Sequence, residues 1–224
     1  MTATVTRVPA LIALMTGDEK HQAAAESTLD VIRVLYERVL RISPETAEDP
    51  DRDRFYLSKG HGPMAYYAVL ADQGFIPEAW LAGWANFDSP LGQHPDRTLV
   101  PGVEIGSGSL GPGLALGLGT ALGLRVRGSA ARVIVLVGDA ELDEGSNREA
   151  IEVAAALGVA GLTVVVVDNA SASYRRPGRI GSRFAVEGWW VAQVDGRDQD
   201  ALADALRHRE QDRPTVVVAT VEPA

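Results

Sequence analysis

The stretch RVIVLVGDAELDEGSNREA, residues 132–150, decides the fold. Its first half is an aliphatic run, Val133 to Val137, that stops abruptly at Gly138-Asp139. Such a run, with no polar alternation, suits a strand covered on both faces, as in a parallel sheet. Its second half places Asp139, Glu141, Asp143 and Glu144 close together, then passes into apolar residues at helical spacing. Ser146 or Asn147 is the expected N-cap of that helix.

Outward from this stretch the same alternation continues. LTVVVVDN (residues 162–169) and PTVVVATV (214–221) read as buried strands, and WWVAQVDG (189–196) as a weaker one. DQDALADALRHRE reads as a helix entered through Asp198. Strand alternating with helix predicts an α/β fold: a doubly wound, mostly parallel sheet flanked by helices, with ligands beyond the carboxyl ends of the strands. Upstream, a helical segment over about residues 8–42 includes the amphipathic STLDVIRVLYERVLRI. PMAYYAVLADQGF and PEAWLAGWANF read as helices entered through Pro63 and Pro77. The glycine-rich GSGSLG at residues 106–111, followed by a small-residue helix, reads as a turn built for close ligand approach. With no repeat and no obvious linker, residues 1–224 are expected to form one domain.

Composition narrows the function classes. A hydrophobic fraction of 46% and a charged fraction of 23% are ordinary for a globular chain. The formal charge of −9 argues against a nucleic-acid partner, which wants a basic face. The absence of cysteine excludes disulfides and thiolate chemistry. The opening residues lack a basic start and a small-residue cleavage site, and no apolar run reaches the roughly 18 residues that span a bilayer. A cytoplasmic protein with no membrane partner is expected.

Asp139 and Asn169 end two strands thirty residues apart, with one helix between them. That spacing puts a carboxylate and an amide oxygen on one sheet edge. Hard oxygen donors of low total charge suit Mg²⁺, or Ca²⁺, held jointly with a diphosphate. Gly138, Ala140 and the start of the following helix offer backbone N–H groups to that anion.

The pair GDAELDEGSNREA and VVVVDNASAS resembles the thiamine diphosphate signature, Gly-Asp-Gly followed about thirty residues later by Asn. DRDRFYLSKGHG, QHPDRTLVPGVEIGSGSLGPGLALGLGTALGLR and GWWVAQVDGRD are similar to the amino-terminal half of transketolase, and the likeness runs over about residues 21–221. It implies thiamine diphosphate as cofactor. Asp139 and Asn169 would be side-chain metal ligands, and the Ser171 carbonyl a third. Gly108, Ser109 and Leu110 would meet the aminopyrimidine and diphosphate, and Gly138 the diphosphate. His61 and His94 match histidines of the active-site channel that hold the diphosphate or sugar hydroxyls and assist proton transfer, and His21 falls in register with another. Glu144 matches a glutamate coupled to the catalytic glutamate of a partner.

This chain departs from the family at several points. Gly-Asp-Gly has become Gly138-Asp139-Ala140, so the turn must keep an ordinary backbone at Ala140. Glycines and proline around His21 are gone, and NASAS stands for Asn-Gly-Ile. An acidic stretch is replaced by YRRPGRIGSR, with Arg175, Arg176 and Arg179. The resemblance also implies a pyrimidine-binding domain that this chain lacks. The expectation is a natural split enzyme, not a truncated piece, joined to a pyrimidine-binding subunit in an α₂β₂ assembly and moving a two-carbon ketol unit from a ketose phosphate. A 2-oxo acid dehydrogenase-like subunit serving a lipoyl or carrier-protein thiol, and a silent scaffold, stand as alternatives. Glu141 and Asp143 have no assigned role and are expected to be solvated or partner-facing.

Overall fold

The computed structural model describes residues 7–16, 22–173 and 178–222. Five parallel strands form the sheet: β1 (Arg54–Leu57), β2 (Val133–Gly138), β3 (Leu162–Asp168), β4 (Trp190–Asp195) and β5 (Thr215–Thr220), in the order β1-β2-β3-β5-β4. The valine runs behave as their sequence predicts: all of β2 is buried, and β3 is buried up to Asp168. Successive side chains alternate between two faces. Ile134, Leu136, Val165, Val167 and Val217 enter one core, and Val133, Val135, Val137, Val164 and Val166 the other. Each such side chain, fully buried, contributes roughly 1.5–3 kcal/mol.

The first core is closed by α1 (Val8–Ile12), α2 (Gln22–Val34), α3 (Met64–Asp72) and α7 (Gln199–Arg207). The second is closed by α4 (Pro112–Val126), α5 (Gly145–Ala156) and α6 (Arg179–Ala185). The doubly wound expectation holds. α4 lies tight on the sheet because Gly117 has no side chain: a Cβ there would sit 2.3 Å from Val135 Cγ2. Among the described residues no helix is long and apolar enough to cross a membrane.

Four local readings change. The strand β1 escaped the sequence, since four residues at a sheet edge carry no usable period, yet Phe55, Tyr56 and Leu57 are buried. The helix expected to run to Ile42 turns π-helical over Leu35–Val39 and ends there. Arg41 is then drawn to Asp53, giving it a backbone N–H bond of 3.0 Å and a guanidinium bond of 3.1 Å. The segment after Pro77 is a six-residue 3-10 helix, Glu78–Gly83, not an α-helix. Leu81 is buried and the Trp84 indole donates to the Gly92 carbonyl at 3.1 Å, so tertiary anchors override the helical period. Finally, α5 is capped at Glu144, not at Ser146 or Asn147. Asn147 lies inside the helix, where its amide donates to the Glu141 carbonyl at 2.7 Å. Asp198 does cap α7, accepting from the N–H groups of Asp200 and Ala201.

Candidate functional site

The in-register pairing of β2 with β3 sets Gly138 beside Val167, so both strands release their chains at one edge. Asp139 is 2% exposed there. Its Oδ1 accepts from the Ala140 N–H at 2.9 Å and the Ser171 hydroxyl at 2.6 Å, and its Oδ2 from the Ala172 N–H at 3.0 Å. A carboxylate has about four lone-pair sites, so three donors leave roughly one for another ligand. Asn169 is buried, and its Oδ1 has no hydrogen-bond partner among the described residues. A buried carbonyl oxygen left so costs about 1–3 kcal/mol unless a donor or cation meets it. The donor set at this edge therefore fits a hard cation. Ala140 keeps an ordinary backbone, whereas Ala170, in the family's glycine position, takes φ +61°.

A second group of loops meets this edge from the β1 side. Gly60 and Gly108 approach so closely that a Cβ on Gly60 would stand 2.6 Å from the Gly108 nitrogen. Gly108 itself has φ +138°, and a Cβ there would press on the His94 ring at 3.1 Å. His94 Nδ1 lies 3.0 Å from the Gly60 carbonyl oxygen. A carbonyl can only accept, so Nδ1 carries the proton and neutral His94 keeps Nε2 as its basic nitrogen. The His61 and His94 rings meet edge to face with centroids 5.3 Å apart. The two histidines and the glycine turn are thus brought together. Ser109 is exposed and Leu110 half-buried beside them. His21, Arg175 and Arg176 lie outside the described residues.

Glu141 overturns its sequence reading. Far from solvated, it is 1% exposed. Its Oε1 accepts from the Ser58 hydroxyl and from the Gly111 N–H at 2.9 Å, and its Oε2 from the Gly138 N–H at 3.3 Å. Burial pushes its carboxyl above the usual range, against the pull of those donors and of Lys59. Lys59, also buried, lies over Gly138 and donates to the Ala24 carbonyl at 3.1 Å and the Ser27 hydroxyl at 3.2 Å. Burial lowers its ammonium pKa to about 8, though Asp139 and Glu141 attract the charge. Neither residue was legible as part of the site. Lys59 carried no reading of its own within SKGHG, and Glu141 was expected to be solvated or partner-facing. Asp143 is exposed, as expected, and pairs with Arg183 at 3.2 Å. Glu144 is exposed beside Gly111, on the rim of a cleft of about 720 Å³ that Arg148, Arg179, Arg183 and Glu187 also line.

A family model described as the thiamine diphosphate binding domain of transketolase matches residues 1–222. The chain belongs to this family. This transketolase-type domain is 52% identical over 215 residues to "Ferredoxin fas2" of Rhodococcoides fascians, covering 96% of this chain and 71% of that protein. It is 35% identical over 206 residues to an apulose-4-phosphate transketolase subunit of Actinobacillus succinogenes, covering 89% and 75%. Among solved structures, a transketolase from Leishmania mexicana superposes with a TM-score of 0.77 at 24% identity, covering 98% of this chain and 37% of that one, a likeness of fold. Having no cysteine, this transketolase-type domain cannot itself ligate an iron–sulfur cluster through thiolates.

Proposed function

We propose that this chain is the diphosphate- and Mg²⁺-binding subunit of a two-component, cytoplasmic transketolase. It would transfer a two-carbon ketol unit from a ketose phosphate. The observation that carries the reading is the edge formed by Asp139, Asn169 and Ser171, with the Asn169 oxygen buried and unmatched among the described residues. Among the described residues no three His, Cys, Asp or Glu side chains could hold a metal alone. A cation at this edge would need phosphate oxygens as well, as Mg²⁺ commonly does. Asp139, Asn169 and the Ser171 carbonyl would hold it.

Thiamine diphosphate, when bound, would supply the carbanion stabilisation that cleavage and formation of carbon–carbon bonds require. The chain's own residues bind and manage protons. Residues 108–110 would receive the cofactor with backbone groups; the N–H groups of Gly138 and Ala140, expected to do the same, are held by Glu141 and Asp139, which leaves Gly138 to offer close approach alone. Nε2 of His94 accepts a proton from a sugar hydroxyl and returns it, with His61 alongside and His21 in the same role. Glu144, exposed on the cleft rim, would meet the catalytic glutamate of a pyrimidine-binding subunit in an α₂β₂ assembly. The relative from Actinobacillus succinogenes, itself named as one subunit of a transketolase, supports this division of labour.

The test is to purify the chain with its candidate partner and supply Mg²⁺, thiamine diphosphate and a ketose phosphate. Separate reactions offer an aldose, a lipoyl or carrier-protein thiol, or an oxidised ferredoxin, and products are followed by mass spectrometry. Ketol transfer to the aldose, requiring both subunits, is expected. Turnover by this chain alone would overturn the two-component reading. Transfer to the thiol or reduction of the ferredoxin would replace the acceptor. Failure to bind the cofactor with the partner present would leave a scaffold.

A further inference from the structure

The chain holds a second buried carboxylate beside the first, at an edge proposed to bind a diphosphate. Two acids next to an anion are costly unless the charge of one is already taken up. Glu141 is placed for that. Both of its oxygens accept backbone N–H bonds, from Gly111 and Gly138, and the Ser58 hydroxyl adds a third. These donors come from three separate segments: the end of β1, the entry to α4 and the end of β2. Each runs directly into a part of the candidate site. Ser58 leads to Gly60 and His61, Gly111 closes the turn of residues 108–110, and Gly138 precedes Asp139. The Lys59 ammonium, attracted by Asp139 and Glu141, supplies the compensating positive charge. Asn147 fastens the Glu141 backbone from α5.

We infer that Glu141 is the positioning residue of the diphosphate site, a buried clasp that fixes three binding loops in one geometry without touching the ligand. The inference rests on the cofactor reading above and assigns a cause to the order of its loops. Hydrogen bonds to a charged, desolvated acceptor are about twice as strong as neutral ones, which suits a joint between segments far apart in the chain. Glutamine at this position would keep the shape but turn an N–H donor of its own toward one of the incoming donors.

The experiment compares Glu141→Gln with Asp53→Asn, a change in another buried carboxylate, at the amino-terminal ends of the strands. Both are studied in the complex with the partner subunit. Hydrogen–deuterium exchange without cofactor should show Gly111 and Gly138 exchanging faster relative to the rest of the sheet in the Glu141→Gln protein only. Calorimetry with Mg²⁺-thiamine diphosphate should show affinity falling about 10–100-fold in that variant, the size of effect expected of a residue that holds binding groups in place from behind. Turnover at saturating cofactor should stay within about twofold, placing the loss in the cofactor KM and not in kcat. Unchanged protection, or equal loss of affinity in Asp53→Asn, would overturn the clasp. If the unaltered complex binds no cofactor, the functional reading falls, while the exchange comparison still decides whether Glu141 orders the loops.

Discussion

The Ser171 hydroxyl donates to Asp139 Oδ1 at 2.6 Å, joining the loop after β3 to the end of β2. With the Ala172 N–H on Oδ2 at 3.0 Å, the carboxylate is aimed before any ligand arrives. Replacing Ser171 with alanine removes one charge-assisted bond, worth about 1.5–3 kcal/mol at most. The backbone carbonyl proposed as a metal ligand stays. The expected outcome is a small loss of stability and an affinity for Mg²⁺, measured with thiamine diphosphate present, about tenfold weaker. Unchanged affinity would show that Asp139 needs no such aiming.

Asn169 poses the opposite case, a buried oxygen with no hydrogen-bond partner among the described residues. Truncation to alanine removes an unsatisfied acceptor, so the protein without cofactor should change by no more than about 1 kcal/mol. The rise in thermal midpoint on adding Mg²⁺ and thiamine diphosphate, which reports binding to the folded state, should disappear. A variant that keeps the full rise would remove Asn169 from the ligand set.

Ala170 sits between these residues with φ +61°, where a Cβ costs about 1–2 kcal/mol. Glycine relieves that cost but gives the unfolded chain more freedom, worth about 0.4–1 kcal/mol. Ala170→Gly should therefore stabilise by roughly 0.5–1 kcal/mol, read as a higher urea midpoint. A lower midpoint would mean that the methyl group makes packing contacts outweighing its strain.

How far the sequence could be read follows from how far each residue depends on its neighbours in the chain. The strands β2, β3 and β5 were legible because unbroken valine runs have few other uses. Asp139 and Asn169 were legible because each stands one residue beyond such an aliphatic run, and register did the rest. His61 and His94 needed the family resemblance to be paired, since loops with no period carry them. Glu141 was not legible by either route. Its burial depends on Ser58, Gly111 and Gly138 converging, and nothing in DAELDEG marks the second acid as different from Asp143. The strand β1 failed for a similar reason, being held by its pairing with β2 and not by a pattern of its own.

Asp53, fully buried where the chain enters β1, gives the last prediction. It accepts from the Arg41 N–H at 3.0 Å, the Arg41 guanidinium at 3.1 Å and the Arg132 N–H at 3.1 Å. Burial works against its charge, but the hydrogen bonds from Arg41 and Arg132 outweigh it and hold the carboxyl below the usual range. A carboxyl depressed in the folded state contributes its stability above the unfolded value of about 3.9. That contribution is lost as pH falls through the folded value. Asp53→Asn leaves Arg132 buried without its counter-charge and should cost about 3 kcal/mol at neutral pH. Urea midpoints should show the gap between the two proteins constant above about pH 5 and closing below about pH 4. A gap that persists undiminished into acid would mean that Asp53 acts through shape and not through its charge.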